Sequence, residues 1–255
     1  KEYEFYYNIE EPDPDDESVP VLLQNNSIVT PFEAVTGMYS LPGRHDIDPT
    51  AILAPFYFLF FGLMLSDAAY GLILTTLCAI ILKKYKPEGT THRMIKMFMF
   101  CGLSTFMWGA LFGGWFGNFF TVAAKTFFGK EFVIRPLWFD PLSEPMRLLV
   151  VSLILGAVHL FVGMGVQAYM DIKDGRPLDA LFDIGLWYLL LIGIVLFAFG
   201  GKLGAGAVGI GKIMAIVGAV GILLTGGRKK KGIFGKLTGG LGSLYGITSY
   251  LSDVL

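Results

Sequence analysis

The sequence predicts an all-α fold: a polytopic transmembrane helical domain of about six complete helices plus the start of a seventh, preceded by a short extended, acidic segment. Three observations carry this expectation. The 255 residues are 54% hydrophobic and only 16% charged, with mean hydropathy +0.60, far too apolar for a water-soluble domain. The apolar residues fall in continuous runs long enough to cross a bilayer as helices, whereas a transmembrane barrel would alternate apolar and polar residues in segments of about ten. Finally, Lys and Arg are sorted unevenly among the connections between these runs.

In chain order, residues 1–20 hold a short aromatic-alternating strand candidate and then an acidic, proline-broken linker. Residues 21–47 read as extended pieces (VPVLL, SIVTPFE) leading to an amphipathic approach to the membrane. There Phe32, Val35, Met38 and Tyr39 would share one side of a short helix at the lipid interface. Residues 1–47 are thus expected to be the tail of an aqueous domain and its linker. Lys1 opens the chain without a methionine or a visible signal peptide, and Leu255 falls within an apparent helix. Both features suggest a piece of a longer polypeptide.

The run 51–82 carries a single charge, Asp67, beside Ser66. It is long for one span and short for two, since about 20 apolar residues suffice for one crossing. A single helix would bury an acid in mid-span, whereas a hairpin broken near 65–67 would have short legs. In a hairpin, Ser66 or Asp67 could accept hydrogen bonds from the free amides opening the second leg. Further spans are expected at 92–119, 145–171, 178–200, 207–226 and from 238 onward. The connections at 83–96, 171–177 and 226–237 are basic, the last through Arg228, Lys229, Lys230, Lys231 and Lys236. They alternate with less basic connections at 120–146 and 200–211, which places the three basic ones in the cytoplasm. Gly109, Gly113 and Gly117 recur every four residues, a pattern that lets helices approach closely in lipid. Cys78 and Cys101 lie inside expected spans and read as small apolar residues.

The motifs PFEAVTGMYSLP and DPTAILAPFYFLFFGLMLSDAAYG, then FGGWFG (112–117), GAVHLFVGMGVQAY (156–169) and LYGITSYLSDVL (244–255), resemble the membrane domain of the a/I subunit of rotary V-type and archaeal-type ATPases, the bacterial V-type form in particular. The resemblance covers roughly residues 20–255, and its 31–71 block is the specific part. It implies a cytoplasmic amino terminus and favours the hairpin over 51–84, with legs at 51–65 and 68–84. It also implies a non-catalytic stator subunit in the cell membrane that forms, with the proteolipid ring, the half-channels for proton or sodium translocation coupled to ATP hydrolysis or synthesis. Peripheral-stalk subunits, a central-stalk cap subunit and the lipid bilayer are the other implied partners. The arginine on which translocation depends in that family would lie just past Leu255.

Within that frame Asp253 is the leading ion-path candidate, about two turns before the expected arginine. Tyr245, Ser249, Tyr250 and Ser252 could line the same path or hydrogen-bond between helices. Asp67 reads mainly as a structural cap. His159, with Gln167 two turns later, could relay protons or be a packed histidine. Lys229–Lys231 reads as a topology anchor that could touch anionic headgroups. The run 206–212 imitates a phosphate loop but has Ile213 where Ser or Thr is required, and no strand precedes it. No cofactor, zinc-type spacing, catalytic triad or nucleic-acid partner is indicated. Asn25-Asn26-Ser27 fits a glycosylation acceptor with no meaning on a cytoplasmic face. The alternative to a stator is a self-contained secondary transporter, which should show an internal inverted repeat; none is visible. A third reading is a scaffold without translocation.

Overall fold

The computed structural model describes residues 21–43, 46–117, 119–130, 133–202, 204–228, 230 and 232–254. The strand candidate in 1–20 lies outside these residues, as do Lys229 and Lys231. Every regular element among the described residues is helical, as the composition requires. Among the described residues, five helices are long and apolar enough to cross a membrane: 68–85, 89–112, 145–173, 177–199 and 206–225. The chain divides into two compact units between Glu144 and Pro145.

In the first unit, a 3-10 turn at Thr30–Phe32 leads into α1 (Glu33–Tyr39). Then follow α2 (Thr50–Leu65), α3 (Ala68–Tyr85), α4 (Gly89–Phe112) and the short α5 (Phe119–Phe128). SIVTPFE, expected to be extended, is thus largely helical, because Pro31 starts the turn and the apolar face of α1 finds a partner. Phe32 and Val35 are buried with Ala54, Met97 and Cys101. Phe32 packs edge-on against Tyr57 and stacks on Phe100, with ring centroids at 5.9 and 6.4 Å. Met38 and Tyr39 are exposed instead. The expected four-residue lipid face is therefore split, its first half serving as protein core.

α4 packs against both α2 and α3. A Cβ at Gly71 of α3 would come within 2.7 Å of the Gly102 carbonyl of α4, so the two backbones meet where neither carries a side chain. Cys78 and Cys101 are free, buried thiols.

The span expected at 92–119 ends at Phe112. Gly113 there adopts the left-handed conformation (φ 77°) that caps a helix, and its amide bonds back to the Gly109 carbonyl. Of the supposed glycine ridge only Gly109 lies in the helix, against Ala68. Gly117, also at positive φ, belongs to the loop.

The second unit contains α6 (Pro145–Lys173), α7 (Pro177–Phe199, whose Ala180–Gly185 stretch is π-helical), α8 (Ala205–Thr225), α9 (Ile233–Tyr245) and α10 (Ile247–Val254). Met164, Ile184, Trp187, Leu190 and Ile222 form its core. α7 and α8 form an antiparallel pair joined through glycines: a Cβ at Gly211 would lie 2.5 Å from the Phe197 amide, and one at Gly218 2.7 Å from the Leu190 amide. The span expected from 238 begins earlier, at Ile233, and is interrupted at Gly246.

Past the end of α8, Arg228 pairs with Asp179 and grips Asp183 with both terminal nitrogens at 2.6 Å. The bonds to Asp183, reinforced by Asp179 against the opposing effect of burial, raise the guanidinium pKa above its ordinary value. The basic connection is thereby tied to the π-helical turn of α7.

Candidate functional site

Three constellations of polar groups stand out, two in the first unit and one in the second. The first sits where the chain approaches α2. Asn25 Nδ2 donates to Glu33 Oε1 at 3.0 Å and to Asp48 Oδ2 at 2.6 Å. Arg93 of α4 pairs with the other Glu33 oxygen at 2.9 Å, and the Glu33 side chain is almost fully buried. Asp48 Oδ1 accepts the Thr50 amide at 2.8 Å, and the buried Thr50 and Thr36 hydroxyls meet at 2.8 Å. The Pro-Phe-Glu and Asp-Pro-Thr motifs therefore form one network, with Asn25 as the bridge. Asn25 drew attention in the sequence only as a glycosylation lookalike. Its role depends on two carboxylates brought together by folding.

The second constellation divides the run 51–82. α2 stops at Leu65, Ser66 turns left-handed (φ 33°), and Asp67 is the N-cap of α3. Asp67 Oδ1 accepts the Ala69, Tyr70 and Phe116 amides at 3.0, 3.2 and 3.1 Å, while Oδ2 accepts the Gly117 amide at 2.9 Å. The Ala68 amide in turn donates to the Gly114 carbonyl at 2.8 Å. A buried carboxylate with four amide donors is well compensated. It locks the FGGWFG loop over the α2–α3 turn. Beside it lies a cavity of about 400 Å³ lined by Asp67, Trp115, Phe120, Pro136 and Asp140, among others.

The third is in the second unit, where α6 and α10 meet. A Cβ at Gly156 would lie 2.8 Å from the Val254 carbonyl, so this glycine admits α10 against α6. Just beyond that contact, His159, Leu160, Gly163, Met164 and Asp253 line one cavity of about 380 Å³. The fold thus unites two candidates that lie 94 positions apart (253 − 159). His159 and Asp253 are both exposed at the surface of this unit.

The other candidates diverge. Tyr250 turns the opposite way, into the core, with its ring 4.5 Å from Trp187. It lines a separate apolar cavity of about 320 Å³ with Phe161, Leu191 and Leu251. Tyr245, Ser249 and Ser252 are exposed and line neither cavity. Gln167 lies on α6 outside the cavity lining.

No protein-family model matches the chain. Curated relatives do. Subunit I of the A-type ATP synthase of Methanocaldococcus jannaschii is 32% identical across 98% of the chain. The corresponding protein of Thermococcus kodakarensis is 35% identical across 76%. Over this segment the chain belongs to the subunit I family of A-type and V-type ATP synthases. The V-type synthase subunit I of Chlamydia trachomatis is 31% identical over a shorter stretch, 42% of the chain. The chain spans 39%, 29% and 17% of those three relatives. With five helices of spanning length, this segment of subunit I is a multi-pass membrane protein.

Proposed function

We propose that the chain is part of the membrane stator of a rotary ATPase, where it forms with a proteolipid ring the half-channels for protons or sodium ions. The subunit is non-catalytic in this reading. Ion flow past it is coupled to ATP synthesis or hydrolysis elsewhere in the complex, through ring, peripheral-stalk and central-stalk partners. The proposal places the chain in the cell membrane with its amino terminus and the three basic connections in the cytoplasm.

The observation that supports this reading best is the cavity shared by Asp253 and His159. A ring carboxylate facing lipid must be neutral, because a bare charge there costs at least several kcal/mol. Ions must therefore reach it through a polar path in the stator. Ionisable side chains at membrane depth are costly unless they line such a path or pair with each other. Asp253 can accept and pass on a proton or cation at the surface where a ring helix would pass, and His159 offers a second exchangeable site in the same cavity.

The test is ATP-driven ion uptake by vesicles containing the whole complex. Asp253→Asn is expected to lower uptake by an order of magnitude or more, with ring co-purification intact. Ser252→Ala is expected to leave uptake near normal. Full uptake with Asp253→Asn in an intact complex would overturn the assignment.

A further inference from the structure

α5 is unlike the other helices of its unit. It has ten residues and no buried one. At 1.5 Å per residue it is about 15 Å long, half the thickness of a bilayer's hydrocarbon core. Phe119, Val122, Ala123 and Phe127 recur at i, i+3, i+4 and i+8 and form one mainly apolar face, shared by Thr126 and flanked by Phe120. Lys125 lies opposite, as does Phe128 at the last position, while Phe120 and Thr121 line the cavity beside Asp67. Phe119, Val122 and Phe127 are 58%, 52% and 79% exposed. A ten-residue helix with such a face left in water would be marginal, because helix formation needs either length or a surface to pack on.

Its position says what that surface is. α5 starts three residues after Phe116, whose amide is held by Asp67 at the α2–α3 turn. The same loop caps the end of α4 at Gly113. α5 thus leaves the level at which α3 and α4, both long and apolar enough to span, terminate together. Trp115 and Trp138 gather at this level. Trp138 packs edge-on against Phe139 at 4.7 Å, and its amide donates to the Leu111 carbonyl at 2.9 Å, on the last turn of α4. Tryptophans concentrated at the ends of spanning helices mark the headgroup region of a bilayer.

We propose that α5 is an interfacial helix. It lies in the plane of the membrane with Phe119, Val122, Ala123 and Phe127 in the acyl boundary and with Lys125 toward water and lipid phosphate. It fixes the depth of the loop that Asp67 holds. Phospholipid is the occupant of its apolar face.

The test is a nitroxide scan of residues 119–128, using single introduced cysteines in the full-length subunit reconstituted in phosphatidylcholine–phosphatidylglycerol vesicles. Cys78 and Cys101 are buried, and cysteines elsewhere in the full-length subunit are replaced by serine, so the introduced thiols are the reactive ones. Oxygen accessibility is expected to exceed that of a water-soluble nickel chelate at 119, 123 and 127, with the order reversed at 125, following the roughly 3.6-residue period of the helix. Chelate access all round the helix would overturn the proposal by placing α5 in water. Exclusion of both reagents at 119, 123 and 127 would overturn it by showing a protein partner on that face. Oxygen access without chelate access at every position would overturn it by placing the helix deep in the bilayer.

Discussion

Asp67 gathers four amides from two segments, and its removal leaves all four without their acceptor. Each loss of a buried hydrogen bond costs about 1–3 kcal/mol, less where water can re-enter. Asp67→Ala is therefore expected to destabilise the first unit by about 2–4 kcal/mol in detergent unfolding. Asp67→Asn keeps one acceptor oxygen and should cost roughly half as much. Asp48 makes a pH-dependent contribution. Burial alone would raise its pKa, but the Thr50 side-chain and amide hydrogen bonds, with that from Asn25, outweigh burial and hold it below the ordinary carboxylate value. With the folded pKa depressed, the stabilisation is present above the unfolded value of about 3.9 and is lost as pH falls through the folded one. Protection of the Thr50 amide from hydrogen exchange should thus be constant near neutrality and fall only in strong acid, a fall that Asp48→Asn should remove. Spacing in the sequence could suggest that Asp67 caps a helix, because the amides of Ala69 and Tyr70 are local. It could not suggest Phe116 and Gly117, which reach Asp67 only when α4 returns the chain to the turn. Asn25 was illegible for the same reason.

At the level of elements, glycines decide which helices touch. Gly218 on α8 faces Leu190, whereas Gly209 on the same helix has open space around its α-carbon. Gly218→Leu should push α7 and α8 apart and cost about 1–3 kcal/mol in unfolding measurements. Gly209→Ala should be neutral or stabilising by up to ~1 kcal/mol, through helix propensity alone. A variant pair with equal effects would show that propensity rather than contact governs both sites. Hydropathy located the apolar spans but misjudged where some stop. It continued α4 to residue 119 because the FGGWFG loop is as apolar as a helix. The stop is conformational: Gly113, Phe116 and Gly117 have positive φ, and the loop's amides at 116 and 117 are satisfied by Asp67 rather than by a preceding turn. The π-helical turn at Ala180–Gly185 and the break at Gly246 likewise left no mark in the apolar pattern.

For the whole molecule, the sidedness we propose predicts a labelling pattern in intact cells. Cysteines at Lys84 and Arg176 should resist an impermeant thiol reagent until the membrane is opened, and one at Lys130 should react at once. The reverse pattern would invert the assignment and place the Asp67 loop and α5 on the cytoplasmic side. The sequence by itself determined that this is an all-α membrane protein, roughly where its apolar spans lie, and which family it resembles. Those properties follow from composition, run length and short contiguous motifs, all of which are written locally along the chain. The tertiary structure alone decided which polar groups meet: Asn25 with Glu33 and Asp48, Asp67 with the 116–117 loop, Arg228 with Asp183, and His159 with Asp253. The physical reason is that an apolar span reports only its preference for lipid over water. Which face meets which neighbour is set by glycine contacts and side-chain packing between helices distant in sequence. The same contacts turned Tyr250 toward Trp187 and left Asp253 beside His159.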